Sequence, residues 1–324
     1  MTDKEVRNEI YKIQKKASKT SRICMFPKCA NTAINSHLLQ KNGIISEIAE
    51  SQHVMEIINQ PFAENLQIFK KTGHKDIFTF PGFCDKHDNT IFEPIEGEVI
   101  DFEDYQSQLL FVYRALVNER SKKVIIIDTN NRILESRKLK SMLSIGYIHH
   151  LQDAISGSEA GIKDNLHFES MLLSNLGDVS KRNFKFIIRR LPRYEICASG
   201  VFTYETTEEL INMGANIDEP LTEIYFNLLP TENELILIIG CHNDYKDKCW
   251  EYISQFESIE DGKVLKLISN ILLCQMENWT TSISFYNKYL APKDDAILKT
   301  MIASVKDKDE RRDLNINIFS TMPK

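Results

Sequence analysis

The sequence predicts an α+β protein: a small cysteine- and histidine-bearing module at the amino-terminal end, a helical middle layer, and a carboxy-terminal antiparallel sheet with helices. Three observations predict it. Cysteine and histidine come in two close pairs, within 24–29 and 84–87. Apolar residues then recur at helical spacing between about 103 and 176. From 183 the period shortens to that of strands, before helices return.

In chain order, residues 3–19 read as a basic helix, with Val6, Ile10, Ile13 and Gln14 on one side and Lys12, Lys15, Lys16 and Lys19 facing water. In the segment 22–97, Ile44, Ile45, Ile48, Ala49, Val54, Ile57 and Ile58 have helical spacing and predict a helical insertion over 44–58. Residues 66–69 and 76–80 alternate like paired strands around the turn Thr72-Gly73-His74-Lys75. An amphipathic helix is expected at 103–122, where Leu109, Leu110, Tyr113, Leu116 and Val117 share a face. A second helical region spans 131–176, broken near Gly157 and Gly161. Strands follow at 184–188, 195–205, 222–228 and 234–241, the last two joined by the hairpin turn Pro230-Thr231-Glu232-Asn233. Helices are expected at 244–257, 262–276 and 290–304. The organisation predicted is a basic helix at 1–21, a finger at 22–97, a helical region at 98–180, an α+β domain at 181–305 and a loosely held tail at 306–324.

The chain has 324 residues, enough for two domains or three small ones. A formal net charge of −6 gives no global attraction to nucleic acid or anionic membrane, so local patches decide. Residues 1–23 hold seven Lys/Arg against three acids, residues 181–193 hold six and no acid, and residues 93–104 hold six acids and no base. The polar start of the chain lacks the apolar core of a secretory signal, and no apolar run approaches the roughly 18–20 residues of a membrane span. A cytoplasmic location is therefore expected, where paired cysteines favour metal over disulfides. Cys197, Cys241, Cys249 and Cys274 lie in apolar settings and read as ordinary buried thiols.

Cys24, Cys29, Cys84 and His87 supply three thiolates and an imidazole, the donor set of a structural zinc site. The first pair, Cys24-Met25-Phe26-Pro27-Lys28-Cys29, can close on one ion from a tight turn that Pro27 stiffens. In Cys84-Asp85-Lys86-His87 two intervening residues place both ligands on one side of a helix's first turn, with Asp85 and Asp88 suited to the helix N-terminus.

Cys-x₄-Cys, then Ser36-His37 in an apolar segment, then paired strands, then Cys-x₂-His opening a helix: this order resembles the treble-clef, or ββα-metal, finger of HNH endonucleases over residues 22–97. The resemblance implies that His37 is a general base for phosphodiester hydrolysis and that Asp88, just after the last zinc ligand, binds a catalytic divalent ion such as magnesium or manganese. Ser36 departs from the pattern, because a neutral hydroxyl stands where Asp or His would ligate, and neither Asn42 nor Asn89 is placed by spacing as the middle asparagine. Two readings stay open: a nuclease site, or a structural zinc finger that positions something else.

Lys15, Lys16 and Lys19, with Arg189, Arg190 and Arg193, are candidate contacts to the phosphates of DNA or RNA. The rival class is a protein–protein scaffold or sensor built on a rigid finger, with the acidic segment 93–104 and the regions of Trp250 and Trp279 as contact points. His149-His150 with His167 makes a poor second metal site, since adjacent helical side chains diverge by about 100°. Cys241-His242 makes a poor dyad, since strand neighbours face opposite ways. No glycine-rich phosphate loop and no G-x-S-x-G element occurs, which disfavours NTPase, kinase, dinucleotide and α/β-hydrolase chemistry.

Overall fold

Seven antiparallel strands form one sheet, and helices cover both of its faces. The computed structural model describes residues 3–60, 66–213 and 219–321. The chain opens with helix α1 (Asp3–Ser18), the short strand β1 (Asn35–His37), strands β2 (His53–Asn59) and β3 (Gln67–Gly73), the short strand β4 (Thr79–Pro81) and helix α2 (Asp85–Ile91). Two long helices follow, α3 (Tyr105–Glu135) and α4 (Ile145–Leu176). The remainder comprises β5 (Phe184–Pro192), β6 (Ile196–Thr203), α5 (Thr207–Met213), β7 (Glu223–Pro230), β8 (Glu234–His242), α6 (Lys246–Ser258), α7 (Asp261–Cys274), β9 (Trp279–Thr281), a single turn α8 (Ile283–Phe285) and α9 (Asp294–Ser304).

The large sheet runs β3-β2-β9-β6-β7-β8-β5, and β1 pairs separately with β4. Tyr225, Leu229, Ile236 and Ile238 face the core beneath α3 and the finger. Their neighbours Ile224, Phe226, Leu228, Leu235, Leu237 and Ile239 face the core that includes Ile253 of α6, Val264 of α7 and Ile297 of α9. Because both faces are covered, β8 reads as a near-continuous apolar run instead of alternating. β7 and β8 meet around the expected turn, where the Thr231 N–H donates to the Glu234 carbonyl at 2.9 Å.

Several expectations need correction. The insertion is helical only to Ile48; the chain then turns through Ser51 and Gln52, both at positive φ, into β2. Val54, Ile57 and Ile58 are β-branched and prefer the extended chain they adopt, which their helix-like spacing hid. The segments around Thr72–Lys75 do not pair with each other: β3 pairs with β2, and β4 with β1. β2 in turn pairs with β9, where the Thr280 hydroxyl donates to the Met55 carbonyl at 2.8 Å. The sheet therefore has seven strands where about four were expected, and β9 was missed because three residues carry too little periodicity.

α3 runs past 122 to Glu135, and α4 continues through Gly157 and Gly161 without a break. Tertiary packing outweighs the modest helix penalty of glycine; at Gly161 the missing Cβ leaves room for the Lys123 stem, which a Cβ would approach within 2.4 Å. Asp104 and Ser144 cap the two helices, accepting from the N–H groups of Ser107 and Tyr147. The tail is also tied down through residue 321: Ile318 and Phe319 are buried, and the Asn270 amide donates to the carbonyls of Glu310 and Arg312. Residues 322–324 of that segment lie outside the described residues.

Two glycine substitutions test this packing. A Cβ at Gly240 would lie 2.2 Å from the Lys185 carbonyl oxygen of strand β5, so Gly240→Ala is expected to destabilise the fold by about 1–3 kcal/mol. Gly157 has open space around it, so Gly157→Ala should stabilise α4 by about 0.5–1 kcal/mol. Urea denaturation of both variants checks the pair, and a neutral Gly240→Ala would contradict the β5–β8 register.

Candidate metal centre

Local backbone bonds shape the first ligand pair into a knuckle. The Cys24 N–H donates to the Asn31 carbonyl at 2.8 Å and the Cys29 N–H to the Phe26 carbonyl at 3.1 Å. Lys28 takes positive φ to complete the turn, and an isolated bridge between Ile23 and Thr32 closes its base. The second pair stands where β4 runs into α2, with Cys84 in the extended conformation of a helix N-cap and the Asp88 N–H donating to its carbonyl. Bonds from the Met25 N–H to Gly82 O (2.8 Å) and the Ile34 N–H to Phe83 O (2.7 Å) hold the knuckle against this segment.

The four side chains converge, their ligand atoms all lying within 4.8 Å of one another. Cys24 Sγ and Cys84 Sγ each lie 3.4 Å from His87 Nδ1, and Cys29 Sγ lies 3.9 Å from Cys84 Sγ. Tetrahedral zinc, about 2.3 Å from sulfur and 2.0 Å from nitrogen, sets its ligands roughly 3.5–3.8 Å apart, so these separations are of the size a zinc tetrahedron needs. A sulfur separation of 3.9 Å is far from the roughly 2.05 Å of a disulfide. Outer contacts orient the set. The Asn31 amide donates toward Cys84 Sγ at 3.9 Å, and the His87 ring packs on Phe26 with centroids 4.2 Å apart. Without metal, burial pushes the Cys24 thiol up to about 11, while the His87 backbone N–H holds Cys84 below the usual thiol range.

The residues named for a catalytic ion are differently engaged. His37 is half-buried on β1, its Nε2 3.2 Å from the Lys75 carbonyl oxygen. A carbonyl only accepts, so Nε2 carries the proton and Nδ1 keeps its lone pair. Burial lowers the His37 pKa, and Asp88 is close enough to act on its charge in the opposite sense. Asp88 is raised by burial, against the pull of Arg114, whose Nη2 lies 3.8 Å from Asp88 Oδ1. Arg114 is 2% exposed, binds Glu96 at 2.5 Å and lies over the Phe92 ring at 4.0 Å. Ser36 is fully buried, and its hydroxyl accepts from the Phe83 N–H at 3.2 Å. Asn42 is exposed, and Asn89 donates to Asp85. Asp88 thus has a buried guanidinium 3.8 Å away and the buried Ser36 hydroxyl close by.

The six candidate phosphate contacts divide. Lys15, Lys16 and Lys19 are exposed on or just beyond α1. Arg189 binds Asp261 and the carbonyls of Glu257 and Ile259. Arg190 binds Glu103 and Glu234, and Arg193 the carbonyls of Thr231, Glu232 and Glu47. All three guanidiniums already have protein partners. The sequence reading missed Arg114 and Arg120, which fasten the finger to α3. Arg120 pairs with Glu169 of α4 and donates to the Met25 carbonyl at 2.7 Å. Arg114 carried a signal, since an arginine inside the apolar run Leu109–Val117 needs buried partners; Arg120, among Asn118, Glu119, Ser121 and Lys122, carried none.

The family models, the curated proteins and the solved structures compared with this chain give no match. Among the described residues no helix is long and apolar enough to cross a membrane.

Protein purified without chelator is expected to carry one zinc per chain, and Cys84→Ser to lose most of it; metal analysis by mass spectrometry decides. Because Cys24 keeps its proton until about pH 11 in the metal-free fold, zinc uptake must expel protons and apparent affinity should rise with pH across the neutral range. Competition with a chelator at several pH values reads that slope, and a flat profile would remove the thiolates from the ligand set.

Proposed function

We propose that this chain is a zinc-stapled scaffold, whose HNH-like finger serves as a rigid platform and does not hydrolyse phosphodiesters by a divalent-ion mechanism. The observation that carries the reading is Arg114. A permanent cation, buried and held between Asp88 and Glu96, takes the electrostatic place that a second metal would need. The ion proposed for the Cys₃His cluster is zinc, in a structural role: its four protein ligands leave no open coordination position for water or substrate. Free thiols packed in the core favour a reducing compartment such as the cytoplasm. The partner of the scaffold is proposed to be a protein.

A second reading, action on DNA or RNA, is favoured by one specific feature: burial lowers the His37 pKa while a backbone carbonyl orients its ring, as suits a general base. The exposed lysines of the first helix would then neutralise phosphates.

One experiment separates the readings. Wild-type protein and His37→Ala, both at full zinc content, are incubated with single- and double-stranded DNA and RNA in magnesium or manganese. No cleavage by either is the expected result. Divalent-dependent cleavage that His37→Ala abolishes would replace the scaffold with the nuclease.

A further inference from the structure

Two charge runs are left without a task by the metal centre, the lysines of α1 and the acidic segment 93–104, and they stand at opposite ends of α3. α1 packs on the carboxy-terminal part of α3, where Ile10 joins the cluster of Ile133, Leu139 and Leu151 and Arg22 pairs with Asp128. The acidic segment leads into the amino-terminal end, which Asp104 caps. With 31 residues, α3 keeps the two runs about 45 Å apart. One folded chain cannot bring them together; two copies can.

The acidic end carries a groove of about 240 Å³. Ile44 and Pro230 are buried in its floor and Ile100 and Phe102 half-buried, while Glu98 and Glu232 stand exposed at its rim. Among the described residues neither rim carboxylate has a hydrogen-bond or ion-pair partner. Their neighbours differ: Glu47, Glu96 and Glu103 are taken by Arg193, Arg114 and Arg190.

The basic end offers the complement. Lys4, Asn8, Tyr11 and Lys15 recur at i, i+4, i+7 and i+11, so they form one stripe of α1, and all four are exposed. Val6, Ile10, Ile13 and Ala17 lie on the opposite side and pack inward. Tyr11 therefore shows 55% of its surface to water between two lysines that form no ion pair among the described residues. A tyrosine ring suits an apolar floor and its hydroxyl a polar rim, and ammonium groups on either side suit the two free carboxylates. A polyanion would match the lysines and leave the groove empty. A basic peptide would fill the groove and leave the stripe bare. A second copy satisfies both surfaces at once.

We propose that copies of this chain associate head to tail, with Tyr11 of one seated in the groove of the next and Lys4 and Lys15 facing Glu98 and Glu232. The net charge of −6 makes copies repel on average, so only this end-to-end arrangement is attractive. The contact is heterologous and therefore propagates as a row or closes as a ring. A single aromatic anchor with an electrostatic collar makes a small interface, of about micromolar affinity. The inference goes beyond the scaffold reading, uses no metal ligand, and holds for either reading of the finger.

The test is sedimentation velocity of the full zinc-loaded chain, freed of nucleic acid, from about 2 to 200 μM, which brackets that affinity. Mass should rise with concentration at about 50 mM salt and return to the monomer at about 500 mM, where screening is stronger. Tyr11→Ala, and Glu98→Lys combined with Glu232→Lys, change exposed positions and should each weaken association about tenfold or more. An equimolar mixture of these two variants should form a 1:1 complex, because one keeps the groove and the other keeps the helix stripe. The proposal is overturned if wild type stays monomeric at low salt throughout the range, if Tyr11→Ala associates as wild type does, or if the mixed variants stay monomeric. Association that appears only when DNA or RNA is added overturns it as well, and assigns the lysines to phosphate.

Discussion

Two buried arginines on one helix hold this protein together. Arg114 and Arg120 project from α3 into regions with almost no water, where an unpaired guanidinium would be untenable. Arg114 is matched by Asp88 and Glu96 of the finger, and Arg120 by Glu169 of α4 and the knuckle carbonyl of Met25. The planar guanidinium suits both tasks, since one side chain can serve a carboxylate and a carbonyl together. Position in this fold is therefore set partly by charge: the finger and α4 are fixed to α3 at the points where those partners lie.

That constraint reaches into the chemistry. The same guanidinium that anchors the finger lies 3.8 Å from Asp88 Oδ1, while Cys24, Cys29, Cys84 and His87 lie beyond it and converge. The Cys₃His cluster and the oriented His37 therefore sit beside a buried ion-pair network that also packs the finger onto α3.

What the sequence disclosed follows the range of the physics. Thiols and imidazoles carry their metal preference in their own atoms, so Cys24, Cys29, Cys84 and His87 were legible from type and spacing, and the geometry brings them together. The strands β5 to β8 were legible because runs such as Leu235 to Ile239 have few other uses, and the fold class followed. Partners were not legible. Nothing near Met55 says that Thr281 lies opposite it across a ladder, and nothing near Arg190 names Glu103 and Glu234 as its counter-charges. Gly157 and Gly161 misled in the same way, as local cost was read without the packing that outweighs it.

The pairing of β2 with β9 also imposes an order on biogenesis. Met55 lies opposite Thr281, so a chain emerging from the ribosome exposes the inner edge of the β2–β3 pair until residues 279–281 have been made, more than 200 positions later. The outer edge, β3, bears the exposed Lys70 and Lys71, which discourage foreign strands from joining there. The inner edge bears one charge, Glu56, and is closed by the late arrival of Trp279–Thr281.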